Sequence, residues 1–163
     1  MYFHGMGVDL DYSKTVRWYR KAADQGDADA QFSLGCLYRD GKGVAQNYSE
    51  AVRLFRKAGE QGYGVAQVYI GNMYLDGEGV TQDYNEAVRW YQKAADQDIP
   101  EAQYCLGAVY FFGAGGISRD LKTAHFLISA AKSQGHQKAH ELLDKVEASF
   151  RYTSSECPGL DSP

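Results

Sequence analysis

The chain has 163 residues, 44% hydrophobic and 23% charged, with a formal net charge of -4. That apolar share supports a packed core and excludes a chain disordered throughout, while the negative charge argues against nucleic acid as the main partner. No run of about 18 apolar residues exists, so no membrane insertion is expected, and three cysteines without a C-x-x-C offer neither a disulfide framework nor a structural zinc site.

In chain order, the opening segment 2–26 reads as an incomplete unit. It carries Gly5-Met6-Gly7, then a helix with Arg17, Trp18, Tyr19 and Lys21, closed near Gly26. No basic region followed by an apolar one marks a signal peptide. The compartment stays open between the cytoplasm and, if a leader has been removed, the periplasm or the exterior. A half unit at this end would also expose an apolar helix face, which invites homo-oligomerisation.

The second unit, 27–62, holds two helices. The first spans about Ala28 to Asp40, with Ala30, Leu34, Leu37 and Tyr38 on one face. The second spans about Tyr48 to Glu60, with Ala51, Leu54, Phe55 and Ala58 at i, i+3, i+4 and i+7. Asn47 followed by Glu50 predicts a capped start, and Gly62 a left-handed stop.

The third unit, 63–98, repeats this plan with Asp83 and Glu86 at the cap and Asp98 in place of the closing glycine. The fourth, 99–135, starts with Pro100 where a first helical turn accepts it, and gains one glycine in "GAGGISRD". A last helix, about 136–150, places Asp144 and Glu147 where the earlier units have a glycine and a tyrosine, which marks an end cap. The tail 151–163 is polar with late prolines and is expected to be disordered.

The repeat is strict. Gly5, Gly41, Gly77 and Gly113 stand 36 apart, as do Tyr2, Tyr38, Tyr74 and Tyr110. Gly35, Gly71 and Gly107 keep the same step inside a helix, where glycine costs about 1 kcal/mol relative to alanine. A cost repeated at one register predicts that a neighbouring helix comes too close for a side chain. The recurring G-x-G follows a helix rather than a strand, so it reads as a turn between paired helices and not as a phosphate-cradling loop.

The pattern A-Q-[FVY]-x-[LI]-G-x-x-Y-x-x-G-x-G-V-x-Q-[DN]-Y-x-E-A-V-x-W-Y-x-K-A-A-x-Q-G resembles the Sel-1-like repeat, a relative of the tetratricopeptide hairpin, over roughly residues 2 to 135. The resemblance implies an all-α, right-handed α/α solenoid of stacked antiparallel helix hairpins. It implies a protein- or peptide-binding scaffold or adaptor, with no cofactor and no enzymatic activity. The family occurs in bacterial envelope and secreted proteins and in eukaryotic adaptors. Some cysteine-rich relatives are linked to β-lactam chemistry, but they carry a disulfide in each repeat, which this chain lacks.

If the repeating positions hold the fold, the varying ones are free to specify a partner. On the first helix of each unit these are Asp29, Ser33, Cys36 and Asp40; Val65, Tyr69, Asn72 and Asp76; Glu101, Cys105, Ala108 and Phe112. Steps of four, three and four put each set on one face, which the resemblance places on the concave side. Tyr69 and Phe112 are candidate aromatic anchors, and the acids favour a partner segment carrying Lys or Arg. Alternatives are a structural segment of a longer array, or a cell-envelope protein with a hydrolase-type activity, for which His136 and His140, four apart, are the one metal candidate. No nucleophile elbow is present.

Overall fold

A computed structural model describes residues 12–155, with side chains through Arg151. The described residues form eight helices and no strand: α1 Tyr12–Asp24, α2 Ala28–Asp40, α3 Tyr48–Glu60, α4 Gly64–Asp76, α5 Tyr84–Ala95, α6 Pro100–Phe112, α7 Leu121–Ser133 and α8 Ala139–Ser155. They pair as α2/α3, α4/α5 and α6/α7, each hairpin stacked on the next, so the fold is an α/α solenoid. Gly5-Met6-Gly7, Tyr2 and His4 lie outside the described residues.

Both helices of the second unit lie where the periodicity puts them. The last helix differs. It begins at Ala139, three residues after His136, and continues to Ser155, past the expected end at Phe150. Nothing between Arg151 and Ser155 breaks a helix, since the first proline beyond it is Pro158.

The core is strung along the stack rather than gathered at one centre. Val16, Ala23, Ala30, Leu34 and Leu54 join α1 to the first hairpin. Phe55, Ala66, Ile70, Met73 and Trp90 join the first hairpin to the second. Tyr91, Leu106 and Leu127 carry the seam onward, and Ile128, Leu142 and Val146 close it on α8. Each seam removes apolar side chains from water on both sides of a hairpin, which no hairpin achieves alone.

The in-helix glycines are the contact points within each hairpin. A methyl on Gly35 would lie 2.6 Å from the ring of Phe55, and one on Gly107 would lie 2.6 Å from Ile128. On Gly71 it would collide with the ring of Tyr91. The bare backbone is therefore what lets the second helix seat its large side chain.

The G-x-G turn has two separate jobs. Gly77 ends α4 in the left-handed conformation at φ 73°, and its N–H donates to the carbonyl of Met73. Gly79, at φ 72°, presses against the start of α3: a side chain there would strike the backbone of Tyr48 and Ser49. The hydroxyl of Ser49 donates to the Gly79 carbonyl at 3.1 Å, so the turn of one hairpin docks on the helix start of the previous one.

The capping residues act as expected, with one limb redirected. Asn47 Oδ1 accepts from the N–H of Glu50 at 3.0 Å, and Asp83 Oδ1 from that of Glu86 at 3.0 Å. The glutamates do not reach back to close the box. Glu50 binds Arg53 and Glu86 binds Arg89 instead, while the cap N–H groups of Asn47 and Asp83 donate to the carbonyls of Tyr38 and Tyr74.

Buried glutamines recur at one register of α2, α4 and α6, and those of α2 and α4 reach back to the preceding helix. Gln31 Nε2 donates to the Ala23 carbonyl at 3.2 Å, and Gln67 Nε2 to the Gly59 carbonyl at 2.9 Å. Their side-chain oxygens accept from Gln61 at 2.8 Å and Gln97 at 2.9 Å. Gln103 accepts from Gln134 at 3.0 Å in the same way. Each buried amide thus spends both its oxygen and a donor, as burial requires.

Candidate functional site

The first helix of each hairpin (α2, α4 and α6) shares one side of the stack, because side chains on these helices reach one another. Tyr69 of α4 meets Phe32 of α2 at a ring separation of 5.2 Å, and Tyr104 of α6 stacks on His136, just before α8, at 4.4 Å.

The α2 set is largely satisfied from within. Asp29 is exposed and accepts from the hydroxyl of Tyr63, an interaction that raises the tyrosine pKa. Ser33 and Cys36 are half-buried, and burial pushes the Cys36 thiol up. Asp40 sits 2.8 Å from Arg39 and 3.0 Å from Lys42, and the hydrogen bond from Arg39 holds its carboxyl below the usual range.

The α4 set divides. Val65 is exposed at the start of the helix. Tyr69 is half-buried in an aromatic cluster with Phe32 and Phe55, and the Arg39 guanidinium lies 4.9 Å above its ring. The ring expected to anchor a partner is therefore already packed between hairpins. Asn72 is half-buried, and its Oδ1 accepts from the Tyr91 hydroxyl at 2.7 Å. Burial raises the pKa of Tyr91, so the phenol remains a donor. Asp76 is exposed at the end of the helix.

On α6, Glu101 is turned to His136, with Oε2 2.7 Å from Nε2. The Cys105 thiol is pushed up to about 12, first by burial and then by the Glu101 charge, which makes it unreactive. Phe112 is 68% exposed and meets Phe111 edge-on at 4.9 Å.

Five predicted residues, Asn72, Asp76, Cys105, Ala108 and Phe112, come together around one cavity of about 510 Å³ between α4 and α6. Asp29, Ser33, Cys36, Asp40, Val65, Tyr69 and Glu101 stand outside it. The cavity also takes in Tyr84, Tyr91 and Tyr104, which the choice of varying positions passed over. Tyr91 belongs to the repeating set, and Tyr84 begins the second helix of its unit, so their dual use was not visible from variation.

His136 and His140 do not share a site. The first pairs with Glu101, and the second is exposed. Among the described residues no group of three or more His, Cys, Asp or Glu side chains is placed to hold a metal ion. No described helix is long and apolar enough to cross a membrane.

Comparison with known proteins agrees with this architecture. A family model described as the Sel1 repeat matches residues 1–27, 28–63, 64–99 and 100–136. No curated protein matches. Among solved structures, a Sel1 repeat protein from Oxalobacter formigenes is 36% identical, with TM-score 0.80, over 89% of this chain and 59% of that one. The protective antigen c5321 of uropathogenic Escherichia coli, which displays an SLR fold, is 30% identical with TM-score 0.55, over 98% of this chain and 40% of that one. Cysteine rich protein B of Helicobacter pylori shares the fold at 24% identity and TM-score 0.63, over 86% of this chain and all of that one. The chain thus spans less than two thirds of the first two of these proteins. With four family matches set on the observed hairpins, the chain belongs to the Sel1 repeat family.

Proposed function

We propose that this chain is a protein-binding scaffold that holds an extended segment of its partner along the side lined by α4 and α6. Sel1 repeat proteins act generally as scaffolds for protein–protein interaction. The observation that carries the finer reading is the cavity of about 510 Å³ between these helices. It joins an exposed aromatic ring, a positioned amide and a carboxylate, and Asp76 and Phe112 hold no seam of the stack. An exposed ring beside polar groups suits a peptide, since a few anchors supply most of the binding energy.

The test is a pull-down from the source cell lysate, followed by mapping of the captured segment and affinity measurement with Phe112→Ala and Asn72→Ala. Each variant is expected to weaken binding about tenfold or more. An unchanged affinity in both overturns the assignment to this side of the stack.

A second reading has its own observation. Trp18 of α1 is 72% exposed, whereas Trp90, at the same register on α5, is 6% exposed and packs beside Gly59 and Ile70. That contrast favours a further hairpin, or a second copy, stacking on α1. A solution mass that rises with concentration, and stays monomeric in Trp18→Ser, tests it.

A further inference from the structure

The cavity between α4 and α6 contains a charge that the protein itself leaves unanswered. Asp40 and Asp76 occupy the same place in successive units. Asp40 is neutralised by Arg39 and Lys42. At those two places the next unit has Leu75 and Glu78. Among the described residues Asp76 makes no hydrogen bond or ion pair through its carboxylate, and no lysine or arginine lines the cavity.

The rest of the cavity fits a cation with an alkyl stem. Phe112, at the same place one unit further on, replaces the acid with an exposed ring. Tyr84 and Tyr104 supply two more rings, and Ala108 and Val109 leave room between them. Aromatic faces beside a carboxylate attract a guanidinium or ammonium by charge and by the ring quadrupole together. Deeper in the wall, the Tyr91 hydroxyl donates to Asn72 Oδ1 and so fixes the amide, whose N–H donors suit a backbone carbonyl.

We propose that this cavity is the subsite for one arginine or lysine side chain of the bound segment. Asp76 takes the charge, Phe112 and Tyr84 flank the stem, and the Asn72 amide donates to a main-chain carbonyl beside it. This assignment rests on the scaffold reading above and adds to it a residue class and a place.

A random dodecapeptide phage library panned on the full chain tests it, with the selected peptides titrated against wild type, Asp76→Asn and Phe112→Ala. The expected result is enrichment of Arg or Lys at one position. Asp76→Asn should then lose about tenfold in affinity, and replacement of the selected arginine by the neutral isostere citrulline should lose a similar factor. The loss for Asp76→Asn should shrink as salt rises. Lysine replacing arginine in the same peptide shows which head the cavity prefers. Peptides that bind wild type and Asp76→Asn equally, or show no basic enrichment, overturn the cation subsite and leave the scaffold reading standing. A library from which no binder emerges overturns both.

Discussion

The ring of Tyr91 fills the space that a side chain on Gly71 would need. Tyr91 is fully buried, and its hydroxyl is tied to Asn72 at 2.7 Å, so it has nowhere to retreat. In an exposed helix Gly→Ala gains about 1 kcal/mol. Here overpacking of about 1–3 kcal/mol or more opposes it. Gly71→Ala is therefore expected to destabilise by up to about 2 kcal/mol, read as a lower urea midpoint. A stabilised variant would show that the hairpin has slack at this contact.

That glycine also shows how much was legible in the sequence. A residue that disfavours helices, placed at the same register of three helices, announced a close contact before any coordinates, and the G-x-G spacing located the turns. What stayed hidden was where each side chain spends its polar atoms. Variation at Tyr69 did not decide between a partner anchor and packing between hairpins, and the ring sits against Phe32 and Phe55. Glu101 looked like a groove acid, yet it faces His136, a residue 35 positions away. Variation tells which positions escape the repeat's constraint, but not which ones find a local partner.

Gln67 is 3% exposed and bonded at both ends of its amide. Its repetition at Gln31 and Gln103 was plain in the sequence, but its role was not. Gln67→Leu removes one of two donors from the Gly59 carbonyl, which keeps the Gly62 N–H, and leaves Gln97 only the Lys93 carbonyl, so two hydrogen bonds are lost. The expected loss is about 1–3 kcal/mol. A double variant with Gln97→Leu should lose less than the sum of the two single losses, since both remove the same rung. Additive losses would show that the rung does not tie α4 to the end of α5.

Asp98 has φ 58°, where Gly26, Gly62 and Gly135 have 93°, 88° and 85° at the corresponding helix ends. It is the one described non-glycine residue with positive φ. Its carboxylate receives only a long 3.5 Å contact from Gln103 in return. Asp98→Gly is expected to relieve about 0.5–1 kcal/mol of backbone strain, after allowing for the added freedom of the unfolded chain. Calorimetry should show a melting temperature higher by about 1–4 °C.

Acid should weaken the protein through two identified carboxylates. The Arg39 hydrogen bond lowers the pKa of Asp40, and the Arg53 hydrogen bond lowers that of Glu50. Both therefore bind protons more weakly in the folded chain than in the unfolded one, where the reference values are about 3.9 and 4.3. Their stabilisation is complete above those values and disappears as pH falls through the folded ones. Urea midpoints should hold steady above about pH 5 and drop below about pH 4, and Asp40→Asn with Glu50→Gln should flatten that drop.

Cys105 should resist alkylation. Its thiol is pushed up to about 12 by burial, far above the 8.5 or so of a free cysteine. At pH 8 the thiolate fraction falls by about a thousandfold, and carbamidomethylation of the native chain should be slower than in urea by at least about a hundredfold. Peptide mass mapping after timed quenching reads this directly. Labelling at the unfolded rate would place the thiol in solvent.

The buried glutamines link each hairpin only to the ones beside it, and so does every apolar seam. Tension applied along the long axis would then load one joint at a time, with no central mass to share the force. The weakest seam would yield first while its neighbours stayed intact. Such a chain would behave under strain like a row of couplings rather than a solid block, able to give ground at one link while the rest keeps its grip on whatever it holds.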